Sequence, residues 1–461
     1  MIRSVKEKIS VFFHKGHERT LLTKKNIAAS FGIKGITILV SLVLVPMTIN
    51  YVNSERNGIW LTLYSMIVWL NLFDIGFGNG MMNKLAEAKA KGQTELARKC
   101  VSSTYAIVFL ICLGVFTAFC IINPHLDWVK ILKNVPPQYA GELSGLVWIS
   151  ITSFCFTFVL NLLKPVVTAD QRPAISSFLD MLGQLITFAG IFILSKTTPP
   201  SLITLGLVTG FSPVVVYIIA SLVLFNTRYK AWRPSIRHID FKLAGKMMNL
   251  GIQFFVATCA AFLVTQTLPF LIQRLTNPVE VTNYNAAFRM FSFVYSIMGI
   301  IIIPHWISFT DAYAKGDYAW MKKTVSYLYK IFLIILSFQL ILLALSPMVY
   351  YFWVNHWIKD VENILTISFP MSAAVCLYVC VLCWLNISIY PINGIGKVKL
   401  QLFSSIVEMV LLIPVALAMG NKWGATGVIL APVVVYIPRM IWAPIQLNKL
   451  INNRAKGIWN K

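Results

Sequence analysis

The chain repeatedly runs through about 18–25 apolar residues between charged or turn-forming clusters, and a helix of that length crosses a bilayer core of about 30 Å. Such segments are placed near 27–50, 58–80, 101–122, 143–164, 174–195, 202–225, 250–272, 285–308, 326–352, 364–390, 400–420 and 424–446. With 57% hydrophobic and 12% charged residues and a mean hydropathy of +0.72, the 461-residue chain is far more apolar than a soluble domain of its size. The expected fold class is an all-α polytopic membrane protein.

The same letters recur in both halves. PVVVYI stands at 213–218 and again at 432–437, and EAKAKG at 87–92 is matched by DAYAKG at 311–316, with Lys99/Lys323, Ser102/Ser326 and Tyr105/Tyr329 in step. The pattern reads as an internal duplication: about 12 transmembrane helices as two six-helix bundles around a central cavity. The predicted divisions are a basic tail over 1–25, an N-terminal bundle over 26–227, a linker over 228–249, a C-terminal bundle over 250–448 and a tail over 449–461. Internal repeats are how many secondary transporters are built, with the substrate site between the repeats.

Charge predicts the orientation. If the amino terminus is cytoplasmic, most of the 40 Lys+Arg fall in cytoplasmic segments, including Lys84, Lys89, Lys91, Arg98 and Lys99 in one loop and Arg228 to Lys246 in the central connection. An even number of spans returns the carboxyl terminus to the same side. Topology and anionic headgroups account for the net charge of +23, and a nucleic-acid partner is not called for, since a basic patch also needs a soluble reading surface. The polar first ~25 residues lack the apolar core of a signal peptide and read as a retained cytoplasmic tail.

Enzyme signatures are missing. There is no phosphate loop, no HExxH and no GxSxG; GIGK at 394–397 continues with Val398 and lacks the upstream glycine. All eight cysteines lie in apolar segments, which argues against a disulfide framework. Cys376, Cys380 and Cys383 share a helical face, but no His or carboxylate lies near them in sequence, so they read as small buried hydrophobes rather than metal ligands. No cofactor is expected.

Polar stripes along the spans carry the chemistry. In the first span Ser30, Lys34, Thr37, Ser41 and Thr48 fall within about 60° of arc at 100° per residue. The seventh span places Thr258 and Thr265 at the repeat positions of Lys34 and Ser41. The fifth span carries Ser177, Asp180, Gln184 and Thr187, the eleventh Gln401, Ser405 and Glu408, and the eighth Asn285, Arg289, Ser292, Ser296 and Gly299. Polar faces on equivalent helices of two halves most simply line one cavity. Ser and Thr alone also serve as glue between helices, whereas Lys34, Asp180, Arg289, Glu408 and Arg439 are costly in hydrocarbon and point to a wet cavity or to partners. Arg289 and Arg439 either face that cavity or snorkel to a span end, and Asp180 either couples transport or neutralises a cation.

DIGFGNG at 74–80 holds Asp74, which needs a hydrogen-bonding partner, and a Gly76-x-x-x-Gly80 packing motif. With Pro46, Tyr51 and Gly58 before it, EAKAKG after it, and LKPVVTADQRPAISSF (163–178) and IYPINGIGKVKLQLF (389–403) as paired loops, the chain resembles the polysaccharide exporter family over nearly its whole length. The closest pattern is the Wzx-type flippase branch of the multidrug/oligosaccharidyl-lipid/polysaccharide exporter superfamily.

The resemblance implies alternating access at the bacterial inner membrane, with undecaprenyl-pyrophosphate-linked oligosaccharide as substrate and membrane lipids, H+ or Na+ and other polysaccharide-assembly proteins as partners. Lys34, Arg289, Arg439, Ser41 and Thr258 are the substrate-binding candidates, and Asp74, Asp180 and Glu408 those for coupling or gating. The alternative is a multidrug or other small-molecule antiporter of the same superfamily; that branch usually carries an acidic residue in its first span, where this chain has Lys34.

Overall fold

The structure, a computed structural model, describes residues 18–68, 74–170, 172–241, 243, 266–358 and 364–460. The regular elements there are helices. Eight of the described helices are long and apolar enough to cross a membrane. α1 (Glu18–Val52) holds the first predicted span; Asn53, at φ 75°, then turns the chain directly into α2 (Ser54–Val68). α3 (Asp74–Ala90), α4 (Thr94–Ile122), α5 (Ala140–Leu160), the short α6 (Leu163–Ala169), α7 (Pro173–Thr197) and α8 (Leu202–Asn226) follow. Residues 266–275 form α9, the described end of the seventh predicted span. α10 (Pro278–Lys315), α11 (Tyr318–Ala344), α12 (Ser346–Trp353), α13 (Phe369–Ile395) and α14 (Lys399–Ile451) complete the chain.

One predicted boundary moves. Residues 364–368, expected inside a span, are not helical, and α13 starts only at Phe369. Ser368 caps it by accepting from the Met371 N–H (3.3 Å), and Pro370 sits in the first turn, where its fixed φ suits a helix and its missing N–H costs nothing. The last two predicted spans are the arms of α14, which breaks at Trp423 and at Gly424 (φ 58°, ψ −142°).

The repeated motifs form the same local structure. Gly92 ends α3 at φ 68°, its N–H donating to Lys89 O (3.1 Å) and that of Gln93 to Ala88 O (2.9 Å). Gly316 ends α10 at φ 71°, with Gly316 N–H to Tyr313 O (3.2 Å) and Asp317 N–H to Ala312 O (2.9 Å). A left-handed residue is needed at both helix stops, and glycine takes it without a Cβ clash.

The apolar core divides along the sequence. One large cluster draws its buried members from residues 268–436, while two others draw theirs from 81–229 and 51–205. Below the second of these, where positive-inside charge predicts cytoplasm, buried Asp170 gathers three segments: Lys89 Nζ (2.6 Å), Arg228 Nε (2.9 Å) and Tyr229 OH (3.1 Å) all donate to its carboxylate. Burial pushes this carboxyl up, but Lys89 and Arg228 outweigh it and hold it below the usual aspartate value of 3.8. Its stabilising contribution is thus present at neutral pH and lost only as acid titrates it below that value.

The parts before 241 and after 266 are tied at one end. Thr282 Oγ1 donates to Ser54 O (2.7 Å), Asn57 Nδ2 to Thr282 Oγ1 (3.3 Å), Gln273 Nε2 to Lys133 O (3.1 Å) and Asn134 Nδ2 to Thr276 O (2.6 Å). Nearer the middle, Arg289 Nη1 donates to Ser41 O (2.8 Å) and Trp353 Nε1 to Leu42 O (3.0 Å), again across the two parts. Gly58 sits so close to Pro278 that a Cβ would overlap the Pro278 carbonyl, backbone that cannot yield cheaply. Gly58→Ala should therefore cost about 1–3 kcal/mol of overpacking and loosen this end, read as a lower melting temperature in detergent and faster thiol labelling of a Thr282→Cys reporter.

Candidate functional site

Between the two parts lies a cavity of about 550 Å³. Three of the stripes expected from sequence converge on it: Thr37 and Thr48 from α1, Asp180, Gln184 and Thr187 from α7, and Asn285 and Arg289 from α10. α2 contributes Asn57, Trp60 and Tyr64, and α8 contributes Thr209 and Tyr217. The α1 hydroxyls satisfy themselves on their own helix, Thr37 Oγ1 on Ile33 O (2.8 Å) and Thr48 Oγ1 on Leu44 O (2.7 Å), as expected for hydroxyls away from water.

Arg289 is half-buried in the wall. One guanidinium nitrogen donates to the backbone carbonyl of Ser41 (2.8 Å), across from α10 to α1, and among the described residues no carboxylate pairs with it. The Ser41 hydroxyl bonds its own helix at Ile38 O (2.8 Å), so its main chain holds the cation. An aromatic neighbour in the wall, Tyr64, stands on the facing helix α2.

Asp180 is half exposed at the cavity and engaged through one carboxylate oxygen, Oδ1. It accepts from Lys164 Nζ (2.8 Å) and from Tyr217 OH (2.7 Å), while the Lys164 ammonium also lies 5.3 Å from the centroid of the Tyr217 ring. Lys164, in the 163–178 loop, becomes visible as a site residue only once α6 is seen to lie beside α7. With this pair neutral, the excess charge on the described cavity wall is that of Arg289.

Other candidates lie elsewhere. Lys34 is exposed on α1, one turn before Thr37, and does not line the cavity. Thr258 and the seventh-span stripe fall outside the described residues, as does the side chain of Asp74, whose backbone opens α3. Glu408 and Arg439, placed by sequence in separate coupling and binding roles, meet between the two arms of α14. Both are buried; Arg439 Nε donates to Glu408 Oε1 (2.8 Å), Ser404 Oγ adds a bond to the same oxygen (2.6 Å), and Arg439 also reaches Ser405 Oγ. The polar face of the eleventh span is thereby turned to the twelfth rather than to this cavity, because a charge pair in hydrocarbon is stabilised by closure on itself. The cysteines of α13 are free and buried, Cys376 Sγ resting on Gln339 O (3.7 Å).

The fold and the polar seam define a class: an α-helical integral membrane protein with the fold of the MOP transporter superfamily. The chain aligns with the inward-facing conformation of a multidrug resistance MATE family transporter of that superfamily at a TM-score of 0.74 and 13% identity, covering 92% of this chain and 100% of that one. Its likeness to the lipid II flippase MurJ in an inward closed conformation has a TM-score of 0.71 and 13% identity, covering 92% and 90%. Within that class the chain belongs to the polysaccharide biosynthesis protein family, whose profile matches residues 23–307. It is similar to a candidate O-antigen transporter of Salmonella typhi, 20% identical over 282 residues, 61% of this chain and 63% of the relative. A counterpart from Salmonella typhimurium is 21% identical over 291 residues, 62% of this chain and 65% of that one. The match thus spans under two thirds of the length of these relatives.

The α14 pair makes a test of its own. Arg439→Met alone strands a buried carboxylate and should cost about 3–5 kcal/mol, whereas Glu408→Leu with Arg439→Met should restore most of it; thermal unfolding of the single and double variants measures the difference.

Proposed function

We propose that the protein is a flippase that moves undecaprenyl-pyrophosphate-linked oligosaccharide repeat units across the bacterial inner membrane by alternating access, with both termini cytoplasmic. The observation that carries this reading is Arg289, a permanent cation in a cavity within the membrane, held by one backbone carbonyl and left without a carboxylate among the described residues. A pyrophosphate supplies the missing charge and offers the guanidinium two oxygens at once. The kinship with candidate O-antigen transporters and the fold shared with a lipid II flippase support the same class. A cationic drug, by contrast, gains nothing from an unpaired arginine.

In this reading Lys164 is the second phosphate ligand, surrendered by Asp180 when the headgroup arrives. Lys34, toward the cytoplasmic end of α1, draws the headgroup in, and Ser41 serves through its carbonyl; Thr258 joins the same wall by its repeat position. The tied end carries residues that the charge pattern places outside, so the resting cavity takes its cargo from the cytoplasmic face. Coupling to H+ or Na+ falls to Asp180, which faces the cavity, while Glu408 and Arg439 neutralise each other in a structural role. Membrane lipids hold the polyprenyl tail, and other polysaccharide-assembly proteins supply and receive the repeat unit.

Translocation of a labelled undecaprenyl-pyrophosphate oligosaccharide in proteoliposomes tests this. Arg289→Ala should lower the rate at least about tenfold, the worth of charge-assisted hydrogen bonds, with Arg289→Lys in between because an ammonium keeps the charge but not the fork. Efflux of a cationic dye by a chain that moves no lipid would overturn the reading. Asp180→Asn should abolish the response of transport to an imposed proton or sodium gradient; a response that survives removes Asp180 from coupling.

A further inference from the structure

Behind the wall formed by α2, a second space of about 120 Å³ opens into the N-terminal part, between α2, α5 and α8. It adjoins the main cavity, with Trp60, Tyr64, Thr209 and Pro213 lining both. Trp60 and Tyr64 stand one turn apart with ring centroids at 5.6 Å and planes inclined by 39°, so two aromatic rings mark the boundary between the spaces. The back of the alcove is polar: Ser150, Ser153 and Thr157 face it from α5 at the middle of a span that otherwise reads as hydrocarbon-seeking.

The hydroxyls there have a common bias. Ser153 Oγ donates to Ser150 O (3.0 Å) and Thr209 Oγ1 to Leu205 O (2.7 Å), so their protons are turned onto their own helices and their oxygens are left to accept. Ser150 is 4% exposed as a residue, and its buried Oγ has no hydrogen-bond partner among the described residues. Helix glue accounts for self-bonded hydroxyls, but it explains neither a buried orphan nor an unfilled space beside it, since packing would close a void that serves nothing. A ligand suited to this alcove has hydroxyl or amide donors for the acceptors at the back and an apolar ring face for the aromatics at the front. That is the chemistry of a sugar's substituents. At about 120 Å³ the space is smaller than the roughly 150 Å³ that holds a benzene ring, so it takes a substituent such as an acetamido group and excludes a whole sugar ring.

We infer that this alcove is a subsite for a substituent, such as the acetamido group, of one sugar of the lipid-linked oligosaccharide, and that it sets preference for the glycan. The inference rests on the flippase reading: the main cavity holds the pyrophosphate, and the alcove reads what is attached to it. Ser153 and Thr157 line only the alcove, which separates sugar recognition from binding of the phosphate.

The test is binding to the full chain in lipid nanodiscs of two probes, undecaprenyl pyrophosphate alone and the same lipid bearing one N-acetylhexosamine. The paired change Ser153→Ala with Thr157→Val removes two α5 hydroxyls that line only the alcove at nearly constant volume, and Thr157→Leu alone narrows the space. Each should weaken the glycosylated probe about tenfold and leave the sugar-free probe unchanged. Equal weakening of both probes, or of neither, overturns the subsite. Failure of the native chain to bind either probe overturns the flippase reading itself, an outcome distinct from loss of the sugar term alone.

Discussion

Hydrocarbon supplies no hydrogen-bond partner, and the arrangement of polar groups in this protein answers that single constraint. The backbone answers it by winding into helices. The hydroxyls of α1 answer it by donating to carbonyls one turn back, as Thr37 and Thr48 do. Ionised side chains have three solutions, and the chain uses all of them. Glu408 and Arg439 close on each other inside α14, Lys164 and Asp180 pair at the edge of a cavity, and Arg289 leans on a carbonyl with its charge uncompensated.

These solutions differ in what they leave available. A pair buried on both sides has no free valence, and disturbing it leaves one ion stranded. A half-exposed pair is exchangeable: Lys164 has a carboxylate and an aromatic face to return to, so an incoming anion competes with partners already in place. Arg289 has no carboxylate to release among the described residues, and of the three arrangements its charge is the most open.

Contacts between the two parts concentrate where α2 meets α10. The close contact of Gly58 with Pro278 and the bonds of Asn57, Gln273 and Asn134 hold the two parts together at one end. The glycine stops at Gly92 and Gly316, which close their helices on their own carbonyls, stand at the other. The Asp170 cluster is internal to the N-terminal part and fixes three of its segments to one another.

The sequence alone determined the membrane class, the helical segments, the stripes on α1, α7 and α10 that meet in the cavity, and the family, because each rests on periodicity and composition that survive without coordinates. Which polar residues face one another was decided only by the tertiary structure. The stripe containing Glu408 reads like that of Asp180, yet the fold of α14 at Gly424 brings Arg439 onto Glu408 and leaves Asp180 to Lys164. Trp60, Tyr64 and Ser150 read as ordinary apolar or small residues of a span until α2, α5 and α8 enclose a space between them. One-dimensional pattern says which face of a helix is polar; pairing and cavities depend on distances between segments far apart in the chain, and those are set by packing.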